Sequence, residues 1–306
     1  MSTTANKLNY LYDTTKIVKD AAQASLYVQG RTLLPNNAPF RDYANVLHPL
    51  ERIIYNHFSD GTLGAFYIPR PKMFGRQVLF QDSAGTIPVV NDGEPVGRIE
   101  DLSGNGFHAT QSDDERRPVY KTDGVLHWLE SDGFQEGLVG KRLNHGLNLR
   151  GDVSMIVSAE RLGNNTGTGD RIQGIYSATA PHNKIVTFVV GVANTSGQSA
   201  GWGTYGSSWT STNIDILNNR SILSTVGREL PEPMQNLYTN GEFTLSVNNN
   251  YPGDDKSRRA IFSEHDDSSA RFFNGKIFFI FSVNKLLSDA ERNFIEQQFS
   301  VLSGIN

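Results

Sequence analysis

The chain has 306 residues, a formal net charge of −4 and no cysteine. Its length suits one large β-sandwich with a small accessory module; its charge provides no basic groove for nucleic acid, and it has no thiols for disulfides or thiolate metal sites. The start, MSTTANKLNYLYDTTK, has neither an apolar h-region nor a cleavage pattern, and no run approaches the ~18 apolar residues of a membrane span, so a protein folded in a reducing cytoplasm without a signal peptide or membrane insertion is expected.

The first 60 residues read as helical. Ile17, Ala21, Ala24 and Val28 share one face of a helix over 14–29. Asp13 or Thr14 can cap its start and Gly30 can close its end. Pro39 suits the first turn of a second helix, lined by Phe40, Tyr43 and Leu47, and Pro49 opens a third over 50–58. None is long enough to hold alone in water, so they must pack on one another, on further copies or on another protein. Residues 1–60 are therefore expected to form an attachment or oligomerisation module.

From Gly61 the pattern changes to β. The stretch 79–121 carries the turn sequences DSAGT, NDGEP, DLSGNG and RRP, separated by short apolar runs. Gly, Asn and Asp supply positive φ and local side-chain turns, which is strand-turn-strand chemistry. Strands are expected at 124–130, 153–160, 185–192, 213–217, 221–226, 242–247, 258–263 and 277–283. The last, IFFIFSV, is almost continuously apolar and reads as a strand buried on both faces or covered by a helix. A cover follows. Ser288 and Glu291 form a capping box, Phe294, Ile295, Phe299 and Leu302 make one helical stripe, and Gly304 ends it.

These segments resemble known modules. The stretch LFQDSAGTIPVVNDGEPVGRIEDLSGNGFHATQ is similar to the opening of the laminin-G-like, concanavalin A-like lectin/glucanase domains of bacteriophage virion proteins, and FNGKIFFIFSVNKLLSDAERNFIEQQF is similar to their ending. The resemblance implies a mainly β protein: a concanavalin A-like jelly-roll sandwich over 61–306, with the C-terminal helix packed on it and the domain facing outward from a virion. Tyr10, Leu11, Thr15, Lys16, Gly30, Pro39, Phe40, Arg41, Tyr43 and Ala44 match a short N-terminal module of phage structural proteins. That implies other virion proteins as partners of residues 1–60, and a homo-oligomer. Ile68 stands where the family usually has Asp, and 161–250 carries no resemblance.

The fold class also contains glycosidases, which need two carboxylates about 5 Å apart on one strand face for retaining chemistry. Glu130, Asp132 and Glu136 come near the pattern, but one residue too many separates Asp132 from Glu136, and Gly133 breaks the strand between them. A strand entering a turn is the better reading, and no catalytic residue is assigned. The seven histidines lack metal spacing, and His108 reads as a packed turn residue. GNNTGTGD at 163–170 has no following Lys-Ser/Thr and reads as a loop. Asp-rich turns at 101–105, Asp113 and Asp114, Asp254 and Asp255, and Asp266 and Asp267 supply oxygens of the kind Ca²⁺ takes, about six to eight from several loops. Such doublets are commonly solvated turns, so no cofactor or metal is assigned.

The best contact candidates are Trp202, Tyr205 and Trp209, three large aromatics among Gly and Ser in GWGTYGSSW. On a loop they offer flat contact area to a host surface glycan or a protein at low entropic cost. The alternative is that they anchor the loop to the sandwich or to a subunit interface. The expectation is a tail-fibre or spike-type component contacting the host surface. A capsid decoration or architectural subunit and a polysaccharide depolymerase are the rival readings.

Overall fold

The computed structural model describes residues 49–305 other than 134–139, 148, 150–151, 164–169, 177–184, 192–200, 206–208, 213, 215, 229–233, 249–258 and 264–271, and gives the strands between 170 and 211 as backbone. The helices expected at 14–29 and 39–47 lie outside the described residues.

Helix α1 (Pro49–Phe58) leads into β1 (Gly64–Tyr67). Five short strands follow: β2 (Lys72–Met73), β3 (Arg76–Gln77), β4 (Leu79–Phe80), β5 (Arg98–Ile99) and β6 (Ala109–Thr110). Then come β7 (Val119–Thr122), β8 (His127–Asp132), β9 (Leu143–Asn144), β10 (Val153–Arg161), β11 (Asp170–Tyr176), β12 (Ile185–Gly191), β13 (Gly201–Tyr205) and β14 (Trp209–Ser211). The chain ends with β15 (Ser221–Arg228), β16 (Met234–Thr239), β17 (Glu242–Asn248), β18 (Arg259–Ile261), β19 (Asn274–Val283) and α2 (Asp289–Ser303).

The strands form two large antiparallel sheets, as expected for a mainly β sandwich. The first runs β17-β16-β15-β10-β19-β8-β7, with β1 pairing the second half of β19. The second runs β14-β13-β12-β11-β18-β9-β6-β5-β4. Leu129, Ile277 and Ile280 of the first sheet meet Ile99 and Ile261 of the second across the interior, all buried. Strand β19 is central and carries the longest apolar run, which accounts for its burial on both faces.

The turns form as their residues dictate. Asp82 accepts the amide N–H groups of Thr86 and Ile87, and the Ile87 bond leads in holding its carboxyl down at about 2. Glu94 accepts those of Val90 and Asn91. Asp101 is fully buried and takes the N–H groups of Phe66, Ser103 and Phe107 together with the Ser103 hydroxyl, tying the SGNG turn to β1.

Both helices cover the outer face of the first sheet. On α2, Ser288 and Glu291 make the full capping box, and Gly304 closes the helix in the left-handed region at φ 64°. On α1, Leu50, Ile53, Ile54 and Phe58 are buried in the same core as the sandwich, and Phe58 lies 5.5 Å from Phe281 of β19. The boundary expected at 60/61 falls between α1 and β1, yet α1 packs as part of the β body. The reason is visible in its sequence: PLERIIYNHF puts its apolar residues on one face, and that face needs a cover.

Candidate functional site

The backbone places the aromatic segment at one end of the second sheet. Trp202 and Tyr205 lie in β13, and Trp209 opens β14, the terminal strand of the described sheet. This corrects the expectation of a loop. Trp, Tyr and Thr favour extended backbone, so the run GWGTY enters the sheet as a strand. Trp202 pairs with Val190 of β12, and Tyr205 stands directly opposite Trp209. The three residues named from the sequence thus belong to one hairpin. The connecting residues 206–208 lie outside the described residues. A strand at the end of a sheet presents backbone groups with which a partner strand can pair.

The carboxylates singled out from the sequence occupy a different place. Strand β8 ends at Asp132, and Gly133 turns left-handed at φ 73°, as its position predicted. Glu130 accepts a hydrogen bond from the Trp128 indole at 2.9 Å. Lys276 lies over the Trp128 ring, 5.3 Å from its centroid, and pairs with Glu160 at 3.2 Å. Asp132 sits 3.7 Å from Lys141. Glu136 lies outside the described residues. Glu130 and Asp132 thus have separate partners, Trp128 and Lys141, and Ser131 between the two carboxylates is buried.

His108 Nδ1 lies 3.0 Å from Glu100, whose other oxygen takes the Arg98 Nε–H at 2.7 Å. It also lies 3.2 Å from the amide of Asp101. This joins the histidine to the turn, as its setting suggested. Asp113 caps the short 3-10 turn Asp114–Arg116, accepting from the Glu115 amide. Among the described residues no three His, Asp or Glu converge as metal ligands. Asp254, Asp255, Asp266 and Asp267 lie outside them.

One charged pair went unread in the sequence. Arg292 and Glu296 of α2, both almost fully buried, pair at 2.8 Å, and Ser224 of β15 donates to the same Glu296 oxygen at 2.6 Å. The Arg292 guanidinium stacks 3.8 Å over Tyr238. The signal available was the spacing: both residues sit four apart beside the Ile295/Phe299 stripe, on the side facing the sheet.

No protein-family model matches this sequence, and no curated protein matches it. Solved structures give distant likenesses. Domain 4 of AbnA, a GH43 extracellular arabinanase from Geobacillus stearothermophilus in complex with arabinotriose, aligns at TM-score 0.41 and 16% identity over 59% of this chain and 81% of that domain. Trypanosoma rangeli sialidase aligns at TM-score 0.43 and 12% identity, over 79% of this chain and 33% of the sialidase. The binding domain of Paraclostridial Mosquitocidal Protein 1 aligns at TM-score 0.41 and 14% identity, over 68% and 51%. This chain thus spans a third of the sialidase's length and about half of the mosquitocidal domain's, and at these scores none of the three bears on its activity.

Proposed function

We propose that this chain is a phage virion protein of tail-fibre or spike type, with a lectin-like sandwich that contacts host surface glycan through the β13–β14 hairpin. The observation that carries the reading is the aromatic hairpin at the end of the second sheet, with Tyr205 opposite Trp209. It lies in the part of the chain without family resemblance, and variable edges of a rigid scaffold are where recognition usually resides. The virion setting rests on the sequence likeness of the two ends of the sandwich and of residues 10–44 to phage modules. Binding rather than hydrolysis is favoured because Glu130 is held by Trp128 and Gly133 ends the strand before Glu136.

Two measurements test this reading. Gold-labelled antibody against the chain should decorate particle tails, whereas labelling spread over the capsid would favour the decoration role. The full chain should be retained on immobilised host polysaccharide and released by Tyr205→Ala. Equal retention of the variant would reject the hairpin as the contact.

A further inference from the structure

A cleft of about 300 Å³ opens on the outer face of the first sheet, between α2 and the β16–β17 turn. Its walls divide by chemistry. Ile222 and Ile305 form an apolar side. Asn293, Gln297 and Ser300 form a polar row, four and three residues apart along one side of the helix. Asn293 and Gln297 are exposed.

Glu296 lines the cleft from beneath and is 4% exposed. Its Oε1 accepts from Ser224 and Arg292. Its Oε2 is buried without a hydrogen-bond partner. Gly241 faces that oxygen at the cleft's rim: a Cβ built on it would meet Oε2 at 3.5 Å and no other atom within 4 Å beyond the adjoining residues. A buried carboxylate oxygen lacking a donor carries a desolvation cost that a ligand donor would relieve.

The charge balance selects the donor. Arg292 pairs with Glu296 at 2.8 Å, and the second carboxylate it meets, Asp289 at 3.6 Å, is 80% exposed and solvated, so an ammonium would leave water for a buried carboxylate that already has its counter-charge. A hydroxyl incurs no such cost. Side-chain amides both donate and accept, which suits neighbouring hydroxyls, and an isoleucine wall suits the C–H face of a ring. We propose that this cleft binds one neutral saccharide residue, a ring hydroxyl donating to Glu296 Oε2 and adjacent hydroxyls bonding to Asn293 and Gln297. The site is separate from the β13–β14 hairpin and does not depend on it.

Saturation-transfer NMR on the full chain tests this. Glucose, galactose, mannose and N-acetylglucosamine would be offered singly, with ethylammonium as the charged probe. At least one sugar should bind, and ethylammonium should not. The double variant Asn293→Ala/Gln297→Ala removes two exposed amides, so the fold should survive, and its affinity for that sugar should fall about tenfold or more. Glu296→Gln should weaken the same sugar. No sugar binding, preferential binding of ethylammonium, or a sugar signal indifferent to the double variant would overturn the assignment. A signal lost in Trp209→Ala but kept in the double variant would place the sugar on the hairpin and equally overturn the cleft.

Discussion

The Phe299 ring of α2 lies 3.6 Å, centroid to centroid, from Phe279 of β19, tilted by 36°. Phe66 of β1 closes on the same ring at 5.5 Å. This contact fixes the C-terminal helix to the central strand. Phe299→Ala should therefore cost roughly 3–5 kcal/mol of stability. Ser288→Ala, which removes only the cap, should cost roughly 1 kcal/mol. Denaturant titration of both variants checks the ordering; equal, negligible losses would mean that the helix is not docked.

Helix α1 belongs to the same core. A protein spanning 49–306 should be clearly more stable than one spanning 61–306, which exposes the surface that Phe58, Ile53 and Ile54 bury. Phe58→Ala alone should cost roughly 3–5 kcal/mol. Identical melting of the two truncated chains would show that α1 adds nothing.

Much of this architecture was legible in the sequence, because local chemistry decides it. The capping box at Ser288 and Glu291, the turns at Asp82 and Glu94, and the break at Gly133 each depend on a few adjacent residues. The strand expected at 124–130 starts later, at His127, because Gly124 sits at φ 92° in a turn. Among the described residues of the segment 213–217, Leu217 forms a bridge to Arg161, and the chain turns at once through Asn218 at φ 51°. Strand β16, MQNLYT, escaped notice because its alternation is short and its buried Gln235 reads as surface. The core role of α1 and the Arg292–Glu296 pair were hidden for another reason: both depend on which element packs opposite, a long-range fact.

Acid should weaken the protein in two stages. Burial, then the charge of Lys285, pushes the His57 imidazole down to about 4, with Glu291 and Asp60 opposing. The unfolded chain thus binds a proton near the ordinary histidine value that the folded chain refuses. Stability is full above about pH 6.5 and falls as pH drops toward 4, by at most about 3 kcal/mol. Burial pushes Glu291 up, but bonds from Lys285 and Ser288 outweigh it and bring it to about 2, so a further loss follows between about pH 4.5 and 2. Stability measured against pH should show both falls, and His57→Phe should flatten the upper one. An unchanged upper slope would remove His57 from the account.

Glu130 is expected to hold Trp128 and to take no part in hydrolysis. Glu130→Gln should leave any release of reducing ends from host polysaccharide unaltered. Cleavage by the wild type that falls by orders of magnitude in Glu130→Gln would make the chain a depolymerase.

The most direct test of the central proposal is Trp209→Ala, followed by thermal melting and host adsorption on the same preparation. A contact residue at the end of the second sheet should leave the melting temperature nearly unchanged while adsorption falls. A core anchor would lose roughly 3–5 kcal/mol on truncation, and a strongly lowered melting temperature would contradict the hairpin's role as a contact surface.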